Sequence, residues 1–175
     1  MLARMTALLA RVTDEVSLVG PGQKYSECGV YIVEDRWPGD GPLGGIITAL
    51  QWTRRTPPSC EWNLILGCDM PFVTREWLNY LVERAMLSDA EVIAPRSTHG
   101  LEPLCACWRT AAQDTLQSAF GRGVRKVTEA MKLLRMEVLD EAHWKRFDSH
   151  GRLFCNMNTP QDYEEAARVW LAESQ

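Results

Sequence analysis

A chain of 175 residues, 46% apolar and 24% charged, is long enough for one domain with a hydrophobic core and short for two. Its formal net charge of −4 argues against a nucleic-acid-binding surface, and no apolar run reaches the roughly 18 residues that a membrane-spanning helix needs. The amphipathic start MLARMTALLARVTDEV lacks the apolar stretch and cleavage site of a signal peptide. We therefore expect one cytoplasmic domain over residues 1–175, with neither nucleic acid nor a membrane as partner.

Short β-rich runs alternate with helical patterns along the chain. In chain order, the predicted strands are EVSLV, VYIVED, WNLILGCD, EVIAP, LEPLCACW and RMEVLD. The predicted helices are Pro42–Arg55, Thr74–Leu87, Thr110–Phe120, Val124–Leu134 and Thr159–Glu173. This alternation predicts an α/β fold, a Rossmann-like three-layer sandwich with a mostly parallel sheet. WNLILGCD is apolar nearly throughout, as expected of a strand buried on both faces of such a sheet.

Two helices have clear start signals. Thr74 is placed to be the N-cap of the first, because a threonine hydroxyl there accepts from a free backbone N–H. The last helix opens with Thr159 as N-cap and Pro160 at the first helical position, with Asp162 placed to reach back to the helix start.

The six cysteines form no C-x-x-C pair; they are Cys28, Cys60, Cys68, Cys105, Cys107 and Cys155. Cys105 and Cys107 alternate along a predicted strand, which places both on one face. A zinc site needs about four clustered ligands, and the chain has three histidines, none near another. The pattern therefore favours small buried thiols in a reducing compartment over a metal site.

Asp69 is the first candidate site residue. It directly follows the apolar strand, and ligands of open α/β sheets bind beyond the carboxyl ends of strands. A carboxylate fixed there suits Mg²⁺ that also contacts nucleotide phosphates. The alternative is an ordinary turn aspartate before Met-Pro.

The turn RWPGDGPLGG is the second candidate. Asp35 ends a strand, and Gly41, Pro42 and Leu43 then open a helix. Glycines let the backbone approach a ligand closely, and a helix start presents free N–H groups to anions. A glycine-rich turn alone is weak evidence, but with Asp69 in the same layer it indicates a nucleotide site.

The stretch FCNMNTPQDY is the third candidate. Asn156 and Asn158 alternate to one side of an extended segment that stops at a helix start. Their amides can donate to and accept from a polar heterocycle or a phosphate.

In order and spacing, the motifs GPLGGI, CDMPF, EPLCACW, GRGVRKV and FCNMNTPQD resemble those of MobA-type molybdenum cofactor guanylyltransferases. The resemblance runs from about residue 5 to about residue 170. It implies a fold like that of nucleotide-diphospho-sugar transferases. It also implies transfer of GMP from GTP to the phosphate of the molybdopterin cofactor, with release of pyrophosphate.

The resemblance also implies roles for particular residues. Asp69 matches a magnesium-binding aspartate, and Asp35 an aspartate lining the GTP site before the turn of Gly41, Pro42 and Leu43. The asparagine pair Asn156 and Asn158 matches residues on the cofactor side. A basic turn is expected to meet the cofactor's phosphate, or simply to be solvated; its residues are Arg122, Arg125 and Lys126. Molybdoenzymes or cofactor-insertion proteins are possible partners on the same basis.

One family feature has no counterpart in this chain. Family members begin with a strand and a loop, approximately LAGGxSxRMGxDK, whose N–H groups wrap the triphosphate. On this resemblance we expect the chain to be N-terminally truncated relative to the family and to lack the family's first strand. That strand should lie between EVSLV and NLILGC, so we expect two rows of unpaired backbone groups there. Three explanations are open: the true start lies upstream, the sheet closes differently, or the chain is a degraded copy. We expect weak or no transferase activity from the chain as it stands.

Three other functions remain open at this point. A related transferase could use CTP or a sugar phosphate, because the base-reading residues would lie largely in the missing loop. A non-catalytic relative could bind the molybdopterin cofactor through the asparagine pair and the basic turn. A fragment without independent function would unfold non-cooperatively.

Overall fold

The computed structural model describes residues 1–25, 29–56, 60–148 and 150–173. Its α-helices are α1 (Leu2–Leu9), α2 (Gly22–Tyr25), α3 (Pro42–Arg55), α4 (Arg75–Leu87), α5 (Gln113–Gly121), α6 (Val127–Met131), α7 (Glu141–Trp144) and α8 (Pro160–Glu173). Its strands are β1 (Ser17–Val19), β2 (Tyr31–Val33), β3 (Trp62–Leu66), β4 (Val92–Ser97), β5 (Gly100–Leu101), β6 (Cys105–Arg109) and β7 (Met136–Leu139). Short 3₁₀ turns cover Thr110–Ala112 and Lys145–Phe147. Within these ranges, no helix is both long and apolar enough to cross a membrane.

The predicted helix starts are confirmed, while one predicted helix is shorter than expected. Thr74 caps α4, its hydroxyl accepting from the N–H of Trp77 at 3.2 Å. The helix expected over Val124–Leu134 spans only α6, because the first residues after Gly123 form the turn that leads into it.

The strands form two separate sheets. The larger has the order β3-β6-β4-β5, with β7 also paired to β4, and the smaller consists of β1 and β2. β1 pairs with β2, and β4 with β7, in parallel. The pairings of β3 with β6, β4 with β6 and β4 with β5 are antiparallel.

The α/β class is confirmed, but the expectation of a mostly parallel sheet is wrong for the strand pairings. β3, β4 and β7 run in one direction, whereas β6 runs between β3 and β4 in the opposite one. The reason is the short connection from Ser97 to Cys105, which contains a small hairpin and no helix. Parallel neighbours need a crossover of about a dozen residues or more, so the strand can return only antiparallel.

Helices cover both faces of the larger sheet, which gives the expected three layers. On one face α3, α5 and α6 pack on the inward side chains of β4 and β6, among them Val92 and Trp108. On the other face α4 packs on Ile93 and the two strand cysteines, and the apolar side of α1 contacts the same cluster. The functional consequence is that α3 and α4 lie on opposite faces of β3.

β3 has one open edge in the described part of the chain. At one end of the strand, the N–H of Thr110 donates to the carbonyl oxygen of Glu61 (2.8 Å). At the other end, the N–H of Gly67 donates to the carbonyl oxygen of Leu104 (2.7 Å). Because backbone bonding alternates along an antiparallel strand, the odd-numbered residues of β3 are the ones that bond to β6. The peptide groups of Leu64 and Leu66 therefore face away from β6 and have no strand partner among the described residues.

The smaller sheet is open as well. Gly20 bonds to Val33 of β2 (3.0 Å), and β1 has no second strand partner within the described ranges. The two expected rows of unpaired backbone groups are thus present, one on β1 and one on β3. As a result, every residue of β3 is half-buried, and the expected full burial of this strand is wrong.

The cysteine prediction is correct for the strand and wrong elsewhere. Cys105 and Cys107 are buried in one cluster on the α4 face, and burial raises the pKa of each thiol to about 12. The free thiols of Cys60, Cys68 and Cys155 are exposed. Cys28 lies outside the described residues.

Candidate functional site

Asp69 lies at the carboxyl end of β3, three residues after Leu66. Its side chain is half-buried, and its carboxylate makes no hydrogen bond or ion pair with any described residue. Buried polar side-chain atoms in folded proteins usually have a hydrogen-bond partner, from the protein or from water. An unengaged carboxylate at a strand end is therefore free to bind a ligand.

Gly67 leaves the space that this carboxylate occupies. A Cβ placed on Gly67 would lie 2.7 Å from Oδ1 of Asp69, closer than real Cβ contacts come. The glycine is needed for this close approach and not for its backbone angles, because its φ lies outside the positive region. Sequence reasoning missed this role, although a glycine at a strand end is a known signal of close approach.

A backbone hydrogen bond joins the asparagine pair to Asp69. The N–H of Met157 donates to the carbonyl oxygen of Asp69 at 2.8 Å. Met157 is half-buried, whereas Asn156 and Asn158 on either side of it are exposed. Neither amide side chain bonds to a described residue, so both are available to a ligand beside Asp69.

The helix start after the pair holds this segment in place. Oδ2 of Asp162 accepts from the N–H groups of Asn158 (2.9 Å) and Thr159 (2.8 Å), and the Thr159 hydroxyl accepts from the N–H of Asp162 (3.2 Å). This reciprocal cap is the one expected from the sequence. The donated hydrogen bonds lower the pKa of Asp162 below its ordinary value.

Asp35 follows β2 and is held against α3. Its Oδ1 accepts from the N–H of Trp37 (3.0 Å) and from the hydroxyl of Thr48 (3.3 Å). Thr48 is only 2% exposed, in the middle of α3. Its oxygen also accepts from the N–H of Arg36 (3.3 Å), so one buried hydroxyl fixes the start of this loop. Thr48 is a second residue that sequence reasoning missed, since its partner lies 13 residues away.

The turn before α3 is shaped by its glycines. Gly41 has a φ of 86°, in the region that favours glycine, and Pro42 begins the helix. A Cβ on Gly44 would lie 3.1 Å from the Cβ of Trp37, so the loop packs tightly on the first helical turn. Leu43 is fully buried in the core, which leaves only its backbone to meet a ligand.

The basic turn lies beside this same turn. Arg125 forms an ion pair with Asp40 at 3.9 Å, donates to the carbonyl oxygen of Phe120 (2.8 Å) and stacks over that ring at 4.0 Å. Arg122 donates to a serine hydroxyl of its own helix, and Lys126 is exposed. In the described part of the chain, no hydrogen bond or ion pair joins these residues to the asparagine pair.

The predicted site residues therefore form two groups. Asp69 is joined to the segment that carries the asparagine pair by the backbone hydrogen bond from Met157. Asp35, the start of α3 and Arg125 form the other group, on the α3 face of the larger sheet. Among the described residues, no cluster of three or more histidine, cysteine, aspartate or glutamate side chains could hold a metal ion.

Residues 1–137 match a family model described as "MobA-like NTP transferase domain". A probable molybdenum cofactor guanylyltransferase of Clostridium perfringens is 30% identical over 156 residues, covering 87% of this chain and 75% of the relative. A molybdenum cofactor guanylyltransferase of Rhodopseudomonas palustris is 28% identical and is covered over 82% of its length.

A solved structure has the same fold. It is molybdopterin-guanine dinucleotide biosynthesis protein A from Archaeoglobus fulgidus, which is 23% identical. It superimposes with a TM-score of 0.76 over 95% of this chain and 85% of the other.

Proposed function

The chain belongs to the MobA-like NTP transferase family, and on that basis we propose that it transfers GMP from GTP to the phosphate of the molybdopterin cofactor. The products are the guanine dinucleotide form of the cofactor and pyrophosphate. The guanylyltransferase names of its curated relatives support this choice of substrates. The observation that carries the proposal is the unengaged carboxylate of Asp69, in a residue whose backbone carbonyl oxygen accepts a hydrogen bond from Met157, between the two asparagines.

Asp69 is the residue that would hold a divalent cation, most simply Mg²⁺. The residues suit a cation bound jointly with a substrate: one free carboxylate, space left by Gly67, and, among the residues that the structure describes, no cluster of acids to bind a metal alone. Mg²⁺ commonly binds one or two carboxylates together with phosphate oxygens and water. When bound, it neutralises the charge that develops on the phosphates during transfer.

In this proposal the nucleotide lies over the start of α3. The backbone N–H groups of Gly41 and Leu43 would meet its phosphates, since a helix start favours anions. Pro42 has no N–H and instead fixes the direction of this first turn. Asp35 uses only Oδ1 in its internal hydrogen bonds, which leaves Oδ2 to accept from N–H groups such as those of guanine.

The acceptor is placed on the other side of Asp69, against Asn156 and Asn158. Their amides would donate to its oxygens and fix its orientation. Charge on the phosphates would be balanced by Arg122 and Lys126, while Arg125 is engaged with Asp40 and orders the turn between them. We therefore assign the basic turn to the nucleotide side, whereas the resemblance implied the cofactor side; the contact of Arg125 with Asp40 supports this assignment.

The chemical step follows from this arrangement. An oxygen of the acceptor's phosphate attacks the α-phosphorus of GTP, and a new P–O bond forms. The bond from the α-phosphorus to the bridging oxygen breaks, and pyrophosphate leaves with that electron pair. Little covalent help is needed, so the protein's contribution is alignment and charge neutralisation.

The test is pyrophosphate release from GTP with molybdopterin cofactor as acceptor, compared between the wild type and Asp69→Asn. We expect acceptor-dependent release that is at least about 100-fold slower in the variant. CTP and a sugar phosphate are run in parallel. Faster release with either would reassign the substrate, and cofactor binding without release would favour a non-catalytic relative.

A further inference from the structure

A cavity of about 390 Å³ lies on the α4 face of the sheet, outside the groups described above. Its walls come from residues within 4–11, 72–76, 147–148 and 150–153. A volume of this size is in the range of small-molecule sites. Phe72 and Phe147 supply aromatic surface to the lining.

The residues that line the cavity carry a net positive charge, whereas the chain as a whole is negatively charged. Four arginines and one histidine line it, against the two acids Glu76 and Asp148. Glu76 is next to Arg75 at 3.9 Å, and Asp148 accepts from the backbone N–H of Arg152 at 2.8 Å. With histidine neutral, the lining carries a formal charge of +2, from four arginines less two acids, on a chain of −4.

Two of the cavity's arginines have no carboxylate partner in the described ranges. Arg11, just after α1, forms no ion pair with a described residue. The guanidinium of Arg152 lies over the ring of Phe72, 5.1 Å from its centroid, and forms no ion pair either. A guanidinium next to an aromatic face, with free donors, suits a flat ligand that carries hydrogen-bond acceptors.

The cavity and the proposed nucleotide turn lie on opposite faces of the larger sheet. The start of α4 forms part of the cavity's wall, and lining residues such as Val73 and Leu153 belong to the hydrophobic cluster that contains Trp77 and Phe154. The proposed nucleotide turn at α3 lies on the other face.

Asp69 follows β3 between the two faces, and the cavity wall begins three residues later, at Phe72. Met157, which bonds to the backbone of Asp69, lies four residues after Leu153 of the wall. In-line transfer requires the attacking and leaving oxygens on opposite sides of the phosphorus.

We propose that this cavity is the acceptor pocket: it receives the body of a phosphorylated pterin substrate whose phosphate reaches Asp69. The flat ring packs beside Phe72, and the carbonyl oxygen and ring nitrogens at the far end of the substrate accept from Arg11 and Arg152. The proposal rests on the proposed function and adds to it the residues that select the acceptor.

Kinetics with the full chain test the pocket. Arg152→Gln and Arg11→Gln each remove one charged donor while keeping a polar side chain, and each is expected to raise the KM for the molybdopterin cofactor roughly 10-fold. The KM for GTP should stay within about 2-fold. Arg55→Gln, at the exposed end of α3 and away from the cavity, is the matched control and should change neither value.

Equilibrium dialysis of the cofactor against the protein without GTP separates this proposal from the proposed function. Weaker cofactor binding in both cavity variants, but not in Arg55→Gln, supports the pocket even if no GMP transfer is found. Unchanged cofactor KM and unchanged binding in both cavity variants would overturn the pocket, and the transferase assignment would stand on its own assay.

Discussion

Replacing Gly67 by alanine should damage catalysis far more than stability. The new Cβ would lie 2.7 Å from Oδ1 of Asp69, whereas ordinary contacts begin near 3.4 Å, so the carboxylate must move by about 0.7 Å. The other neighbours, Leu104 and Met70, would be at 3.5 and 3.6 Å and need no shift. Only the end of a short side chain is displaced, so the loss of folding free energy should be small.

The kinetic effect follows from the size of that shift. Catalytic groups need positioning to within about 0.5 Å, and a misplacement of about 1 Å can reduce rates roughly 100-fold. We therefore expect kcat/KM for GMP transfer to fall about 10- to 100-fold in Gly67→Ala, or about 1.4–2.7 kcal/mol of transition-state stabilisation.

The assay combines pyrophosphate release with thermal unfolding by circular dichroism. Gly22→Ala, at the start of α2, is the matched control, because a Cβ there meets only Oε2 of Glu34, at an ordinary 3.6 Å. We expect it to keep both activity and Tm. Full activity in Gly67→Ala would refute the idea that Gly67 positions Asp69, and an equal loss of Tm and activity would show that the glycine serves folding instead.

Three further predictions concern the fold around the site. In hydrogen-exchange NMR, the amide of Leu64 on the open edge of β3 should exchange at least about 100-fold faster than that of Ile65, which bonds to β6; equal protection would contradict the open edge. Asp162→Asn should lower Tm by a few degrees at pH 7. The stabilisation from Asp162 is fully present above its ordinary pKa of 3.8 and is lost as the pH falls through its lower pKa in the folded protein. The Tm values of the wild type and the variant should therefore converge in acid. A constant difference in Tm down to pH 2 would exclude this carboxylate as the cause. Gly44→Ala should cost about 1–2 kcal/mol of folding free energy, since its Cβ would crowd the preceding loop at 3.1 Å, whereas Gly45→Ala should cost nothing in the same urea titration.

The features that the sequence predicted correctly are local ones. The cap of Thr159 and Asp162 depends on residues three apart, and the alternation of Cys105 and Cys107 depends on strand geometry alone. Such features depend only on residues close together in the sequence, so they can be predicted from the sequence alone.

The features that it missed depend on distant contacts. The antiparallel direction of β6 is set by the short length of its connection to β4. The hydrophobic pattern of a strand does not indicate whether it runs parallel or antiparallel to its neighbour. Full burial of β3 was expected because its apolar run matches a central strand, but burial requires a neighbour on both edges. Arg11 and Arg152 come together across about 140 residues of chain, so their shared cavity is visible only in the fold.

The place of the basic turn stays a prediction. The contact of Arg125 with Asp40 puts that turn beside the start of α3, whereas the resemblance suggested the acceptor side. Phosphates of both substrates meet at the reacting centre, so a positive turn there can serve either one. Separate KM values for GTP and acceptor in Lys126→Gln would assign it.

The most direct test of the central claim is GMP transfer itself, measured as acceptor-dependent pyrophosphate release with GTP and Mg²⁺. The open edges beside Asp69 lead us to expect slow turnover, well above that of Asp69→Asn. Release that needs no acceptor, or that is equal in the wild type and Asp69→Asn, would contradict the assignment of Asp69 and of the reaction.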